Sequence, residues 1–124
     1  MPPSSLRRAL LAAPLLTAAA QAHAIIRESS PAPGASIAAG PVQVRLAFNS
    51  RLDHARSQLA VAPVRLGGGG TADEVRVPIA ENSPATELHG LTAPLAPGAW
   101  RIRWQVLALD GHITRGDIAF TVAA

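Results

Sequence analysis

The stretch WRIRWQV, residues 100–106, decides the fold of this chain. Large apolar residues stand at every even position from Trp100 to Val106, and polar residues stand at every odd position. A period of two predicts a β-strand with one face in a core and the other in solvent. We therefore expect Trp100 and Trp104 to pack between two sheets. The arginines at 101 and 103 are expected to face solvent.

Other short segments with a strand-like pattern occur along the chain, separated by proline- and glycine-rich turns. The apolar segments are residues 42–48, 59–64, 75–79, 88–91 and 118–122, and the turn signals are residues 30–34, 63, 67–70 and 94–98. The four consecutive glycines at 67–70 are typical of a hairpin tip. No helical periodicity follows residue 22. The pattern predicts an all-β protein, a β-sandwich of about seven strands.

Residues 1–22 have the features of a secretory signal peptide. Arg7 and Arg8 form a basic start, residues 9–20 are largely apolar, and Ala20-Gln21-Ala22 offers small residues where signal peptidase reads. The apolar run is too short for a comfortable membrane-spanning helix, so an uncut anchor is disfavoured. We expect a cleaved signal peptide at 1–22 and one domain at 23–124. Cleavage after Ala24 is the alternative, and it would remove His23.

Composition limits the chemistry that the chain can support. It has 124 residues, no cysteine, and a single methionine at position 1. Thiolate metal sites, disulfides and a thioether Cu(I) site are therefore excluded. All 11 basic residues are arginines, two of them in the leader, and the formal net charge is +3. With so small an excess and only four aromatic residues, we expect no nucleic-acid partner.

Two features could bind a metal ion. Once N-terminal, His23 offers two nitrogens, its α-amine and its imidazole Nδ1, which can chelate one ion. In Asp110-Gly111-His112, residues i and i+2 of an extended chain point to the same side. A ligand set of amine and imidazole nitrogens with one carboxylate oxygen favours Cu(II) over Mg²⁺ or Ca²⁺, although zinc is also compatible. The alternative is an ordinary Asp-Gly turn beside an exposed histidine.

The chain resembles the CopC family of periplasmic copper-resistance proteins. The segments that carry the resemblance are His23-Ala24, residues 30–34, the strand at 42–48, residues 94–104, Asp110-Gly111-His112, Gly116 and residues 120–122. The resemblance implies an immunoglobulin-like (Greek-key) β-sandwich. It also implies one Cu(II) ion per chain, bound by His23 through its amine and imidazole and by Asp110 and His112.

The chain departs from the family in two places. Some members carry a methionine-rich Cu(I) site, which a mature chain without methionine cannot form. Some members also have an acidic residue two positions after the strand-ending phenylalanine, where this chain has Ser50. A hydrogen bond that supports the ligands could still come from Asn49, Ser50 or Asp53, and the nearby His54 could approach the copper as an auxiliary or supporting group. We take Ser50 and His54 as the two supporting candidates. The alternative for His54 is an exposed loop histidine.

The sequence thus predicts an exported, monomeric Cu(II)-binding protein of the periplasm that buffers, sequesters or delivers copper, and that is not an enzyme. By resemblance, a partner would be an inner-membrane copper-transport protein of the CopD kind. A copper-dependent oxidative enzyme is one alternative, because such enzymes also use an N-terminal histidine. The small domain and the lack of an aromatic surface for polysaccharide disfavour it. A module that binds a protein without metal is the other.

Overall fold

The structure, a computed structural model, describes residues 24–65 and 73–124. The predicted signal peptide, His23 and the glycine run at 67–70 lie outside the described residues. The described residues form eight strands: β1 (Ile26–Ser30), β2 (Ser36–Ile37), β3 (Gln43–Phe48), β4 (Gln58–Pro63), β5 (Val75–Arg76), β6 (Glu87–Leu91), β7 (Gly98–Leu107) and β8 (Ile113–Val122). One 3-10 turn, His54–Arg56, lies between β3 and β4. None of the described residues forms a helix long and apolar enough to span a membrane.

The strands form two sheets. One has the order β1-β3-β6, and the other has the order β2-β8-β7-β4-β5. All pairings are antiparallel except that of β2 with β8. The all-β sandwich predicted from the sequence is confirmed, with eight strands in the described residues rather than about seven. β1 and β2 were not predicted, because β1 has no buried residue and β2 contains only two residues.

The core lies between the two sheets and is built from the alternating residues that the sequence indicates. Leu46, Ile102 and Val106 are fully buried. Trp104 of one sheet meets Phe48 of the other edge to face, with ring centroids 5.1 Å apart. Such contacts between large apolar side chains supply most of the stabilisation of a small sandwich. The predicted core position of Trp104 is confirmed.

The ends of the predicted strands differ from the prediction where the local pattern is weak. Trp100 is only partly buried, and its indole nitrogen donates a hydrogen bond to the Ala96 carbonyl at 2.8 Å. The segment at 75–79 pairs over only two residues, and it remains attached to β4 because Val77 N–H donates to the Leu59 carbonyl at 2.8 Å. β8 is ten residues long, twice the predicted length.

Candidate metal centre

Two loops meet at one end of the sandwich. The first is the turn between β7 and β8, residues 108–112, and the second is the loop after β3, residues 49–53. Leu109 N–H donates to the Arg51 carbonyl at 3.0 Å, and Asp53 N–H donates to the Leu107 carbonyl at 2.8 Å. These backbone bonds fix the two loops side by side. Each loop contains residues that the sequence singled out as site candidates.

The turn between β7 and β8 is closed by its own backbone. Ala108 N–H donates to the His112 carbonyl, and Gly111 N–H donates to the Ala108 carbonyl, both at 2.9 Å. Gly111 has a φ of 96°, a conformation that residues with a Cβ rarely adopt. A Cβ at this position would meet no atom within 4 Å. The glycine is therefore required by the backbone conformation and not by crowding.

The structure brings Asp110 and His112 together. Asp110 Oδ1 accepts a hydrogen bond from the His112 backbone N–H at 3.1 Å and lies 3.2 Å from His112 Nδ1. The His112 and Asp110 side chains are 47% and 42% exposed, so both are accessible from solvent. The expected proximity is present, but its cause differs from the predicted one. Both residues lie in the turn rather than in an extended strand, and the backbone reversal at Gly111 brings them together.

The first described residue is anchored beside this turn. Ala24 is 2% exposed, and its carbonyl accepts a hydrogen bond from the Thr114 hydroxyl at 3.0 Å. Ile25 and Asn49 form a second attachment, because Ile25 N–H donates to Asn49 Oδ1 at 2.7 Å and Asn49 N–H donates to the Ile25 carbonyl at 3.0 Å. The chain therefore enters the domain between the two loops. His23, the first of the predicted ligands, lies outside the described residues.

Sequence reasoning missed Thr114 as an anchor of the N-terminal segment. A signal was available, because Thr114 follows His112 by two residues at the start of a strand and is the only polar residue among the inward-facing positions 114, 118, 120 and 122. An inward-facing hydroxyl needs a hydrogen-bond partner. What the spacing could not identify was that partner, since Ala24 is 90 positions away in the chain.

The donors present suit part of a copper site. Asp110 offers a carboxylate oxygen and His112 an imidazole nitrogen, a combination found at Cu(II), Ni(II) and Zn(II) sites. Within residues 24–65 and 73–124, no group of three or more His, Cys, Asp or Glu side chains is placed to hold a metal ion. Two ligands alone do not fill a copper plane. A site at this turn built from three or more His, Cys, Asp or Glu ligands would need at least one from beyond the described residues.

The two supporting candidates lie in or directly after the second loop. Ser50 is half-buried, two residues after the end of β3. His54 begins the 3-10 turn, which Asp53 caps by accepting the Arg56 N–H at 3.2 Å. His54 Nε2 lies 2.8 Å from the Glu87 carbonyl oxygen. Because a carbonyl only accepts, Nε2 carries the proton, and His54 ties the second loop to β6.

The Glu87 side chain forms an ion cluster on the outer face of the three-stranded sheet. Its Oε1 lies 2.8 Å from both His89 Nε2 and Arg45 Nε, and Arg45 also contacts Glu28 at 3.3 Å. The hydrogen bond from His89, followed by that from Arg45, lowers the pKa of Glu87. Hydrogen bonding to Glu87 and then to Glu28 raises the pKa of Arg45. His89, for which the sequence indicates no function, has a structural contact here.

The chain matches one family model and two curated relatives over most of its length. The model of the CopC domain matches residues 26–123. Protein YobA of Escherichia coli strain K12 is 29% identical over 118 residues, which cover 92% of this chain and 90% of YobA. Copper resistance protein C of Xanthomonas campestris pv. juglandis is also 29% identical, over 117 residues that cover 91% of this chain and 90% of that protein.

Solved structures agree with the fold. The crystal structure of CopC from Methylosinus trichosporium OB3b superposes with a TM-score of 0.69 at 27% identity, over 82% of this chain and 94% of that one. The structure of PcoC, described as a methionine-rich copper resistance protein from Escherichia coli, superposes with a TM-score of 0.59 at 23% identity. That alignment covers 81% of this chain and 98% of PcoC. The immunoglobulin-like sandwich expected from the sequence is confirmed.

Proposed function

Because the chain belongs to the CopC family, we propose that it is an exported copper-binding protein that buffers, sequesters or delivers copper in the periplasm. The observation that carries the proposal is the convergence at one end of the sandwich. The turn that holds Asp110 and His112 adjoins Thr114, which anchors Ala24. A residue joined to Ala24 has its Cα about 3.8 Å from that of Ala24. The hydrogen bond that anchors Ala24 thus favours a metal site shared by the turn and the N-terminus that signal-peptide cleavage would create.

The proposed site holds one Cu(II) ion. His23 contributes its free α-amine and its imidazole, and Asp110 and His112 contribute one oxygen and one nitrogen. Three nitrogens and one oxygen match the tetragonal preference of Cu(II). Asp110 and His112 already lie 3.2 Å apart at an exposed position, so little rearrangement of the turn is needed to face one ion. Ser50 and His54 are proposed to support the ligands from the neighbouring loop.

The proposed cleavage site is after Ala22, which divides the chain into a signal peptide at 1–22 and a domain at 23–124. The burial of Ala24 supports this choice. Cleavage after Ala24 would remove a core residue that is 2% exposed, together with the carbonyl that Thr114 binds. Cleavage after Ala22 leaves both in place and frees the His23 amine.

The proposal excludes a methionine Cu(I) site, since the only methionine is Met1. It also describes a binder rather than an oxidative enzyme. A carboxylate in the copper plane stabilises Cu(II) against reduction, which opposes oxygen activation. Peroxide formation with ascorbate well above that of free copper would contradict this part. The protein is proposed to act as a monomer with an inner-membrane copper-transport protein of the CopD kind.

Mass spectrometry of the exported protein with and without Cu(II) tests the proposal most directly. We expect a chain that begins at His23 and a mass increase of one copper ion. Acetylation of the N-terminal amine, or the substitution His112→Ala, should weaken copper binding at least tenfold. His89→Ala is the matched control, because it removes a histidine that lies on β6 of the other sheet and contacts the Glu87 side chain. A mature chain that begins at Ile25, or full copper affinity after acetylation, would disprove the proposed site.

Binding should also release protons. An α-amine has an ordinary pKa of about 7.7–8.0, so at neutral pH it is mostly protonated and must lose its proton to bind the metal. Calorimetry of copper binding in two buffers of different ionisation enthalpy measures the number released. The acetylated protein should release fewer protons than the unmodified one.

A further inference from the structure

A groove of about 640 Å³ crosses the outer face of the five-stranded sheet, on the side of that sheet away from the core. Its floor includes Ala60 of β4, whose partners in the sheet are Arg76 of β5 and Arg103 of β7. Arg115 of β8 lines the same groove. A small residue on β4 between longer arginines on its two neighbouring strands creates the depression.

Positive charge is concentrated on this face. Four of the nine arginines from Ala24 onward lie here, while only two of the eight carboxylates, Glu74 and Asp117, do. The fourth arginine, Arg101, lies next to the groove on β7, two residues before Arg103. The rest of the domain therefore carries a slight excess of negative charge. An anionic partner would be attracted to this face in preference to the others.

The arginines of this face differ in whether a carboxylate already pairs with them. Arg103 is held from two sides, by Glu74 at 3.1 Å and by Asp117 at 3.3 Å. Among residues 24–65 and 73–124, Arg76, Arg101 and Arg115 have no carboxylate within 4.0 Å, and Arg115 donates instead to Gln105 Oε1 at 2.7 Å. The side chains of Arg76 and Arg115 are exposed. They can form the bidentate pairs with carboxylates that guanidinium groups favour.

We infer that this groove binds an extended acidic segment of a partner protein. The groove crosses four neighbouring strands, β5, β4, β7 and β8, a width of about 14 Å at about 4.8 Å per strand. That length suits several residues of an extended chain, in which acidic side chains at every second position lie about 7 Å apart on one face. Arg76 and Arg115 receive the carboxylates, and Arg103 keeps its internal partners.

One end of the groove points along the strands towards the turn that contains the proposed copper ligands. Gln105 and Arg115 are paired at one end of the groove, and Leu107 and Ile113, the next pair on the same face of the sheet, lie about 7 Å further along the strands. The turn with Asp110 and His112 follows directly. A segment bound across the groove would therefore lie on the same sheet as the turn with the proposed copper ligands, about 7 Å or more from it along the strands. This last point rests on the proposed function, whereas binding of the segment does not.

Titration of a labelled peptide into the metal-free mature protein tests the inference. The probe is a ten-residue peptide of alternating glutamate and serine, and a peptide with glutamine for glutamate is its control. We expect saturable binding of the glutamate peptide that weakens with added salt, and no binding of the glutamine peptide. Arg76→Gln and Arg115→Gln should each weaken binding about two- to fivefold.

Arg27→Gln is the matched control variant, because Arg27 is also exposed but lies on β1 in the other sheet. It changes the net charge equally and should leave binding unchanged. Equal weakening by Arg27→Gln, or no binding of the glutamate peptide, would overturn the inference. So would arginine-dependent binding to anionic phosphatidylglycerol vesicles or inorganic phosphate without peptide binding. Because no copper is present, failure here leaves the proposed copper site untouched.

Discussion

The hydroxyl of Thr114 donates a hydrogen bond of 3.0 Å to the carbonyl of Ala24, across 90 positions of the chain. The bond joins the start of β8 to the first described residue of the domain. It lies two residues beyond His112, at the end of the sandwich where the two loops meet. Together with the pairing of β1 and β3, this side chain and Asn49 hold the N-terminal segment in place relative to the turn.

Replacing Thr114 by valine keeps the shape of the side chain and removes the donor. The Ala24 carbonyl then loses its partner, and we expect a loss of about 1 kcal/mol in the free energy of unfolding. Copper affinity should fall about tenfold, because the N-terminal segment is held less firmly beside the turn. Urea denaturation and a competitive copper titration measure the two effects.

Thr121→Val is the control, because Thr121 lies exposed on the same strand. Thr114→Ser keeps a hydroxyl and should restore most of the affinity. If Thr114→Val binds copper as tightly as the unchanged protein, the Thr114 hydrogen bond plays no part in placing the N-terminal segment for copper binding.

The sequence predicts β7 well and the first half of β8 poorly, for the same structural reason. Alternation of large apolar residues marks β7 from Trp100 onward. In β8 the corresponding inward positions hold Thr114 and Gly116, which carry no apolar signal. Gly116 pairs with Trp104 across the sheet, and the indole ring occupies the space that a Cβ on Gly116 would need. A large residue on one strand thus requires a small one on the other, and the apolar pattern of the second strand disappears.

Gly116→Ala should therefore destabilise the domain by about 1–3 kcal/mol, the usual cost of overpacking a filled core. The Trp104 ring cannot move easily, since it packs against Phe48. A Cβ on Gly116 would collide with the six-membered ring of the indole and with its nitrogen. In a double-mutant cycle, Gly116→Ala should cost clearly less in the background of Trp104→Phe, which removes part of the indole. Equal costs in both backgrounds would show that the ring is not the obstacle.

The part of the candidate site formed by residues close together in the sequence could be predicted, and the part formed by distant residues could not. The spacing of Asp110 and His112 predicts that the two side chains lie close together, and they do, although a turn rather than a strand brings them together. The anchors of the N-terminal segment come from elsewhere in the chain. Asn49 is 24 positions from Ile25, and Thr114 is 90 positions from Ala24. No periodicity or local motif encodes such pairs, because they depend on how the two sheets pack.

Gly111 should be sensitive to substitution even though it has free space around it. Its φ of 96° is unfavourable for any residue with a Cβ, so Gly111→Ala is expected to cost about 1–2 kcal/mol in stability. Relief of that strain would open the turn, separate Asp110 from His112 and weaken copper binding. Thermal unfolding and copper titration measure both effects. Unchanged stability would mean that the turn adopts another conformation without loss.

Glu87 should make stability depend on pH. Its pKa is lowered in the folded protein by hydrogen bonds from His89 and Arg45, while an unfolded glutamate has a pKa of about 4.3. A lowered pKa adds stability that is fully present above about pH 4.3. It is lost as the pH falls through the lower folded value. Glu87→Gln should therefore be less stable than the unchanged protein at pH 6, and the difference should shrink towards pH 3.

Urea midpoints measured between pH 3 and 7 test this expectation. Glu81→Gln is the matched control, because Glu81 is exposed and forms no ion pair among the described residues. It should shift the midpoints little at any pH. A difference between the unchanged protein and Glu87→Gln that stays constant with pH would show that ionisation of Glu87 does not contribute to folding stability.

Substitution of His54 can distinguish a copper ligand from a residue that only supports the ligands. Its Nε2 donates to the Glu87 carbonyl, which holds the second loop against β6. His54→Ala should lower copper affinity about threefold or more through a looser loop. The electron paramagnetic resonance spectrum of bound Cu(II) should not change, because the ligands stay the same. His54→Asn, which can still donate a hydrogen bond, should recover part of the affinity. A changed copper hyperfine splitting would instead make His54 a ligand, and unchanged affinity would leave Ser50 as the remaining candidate.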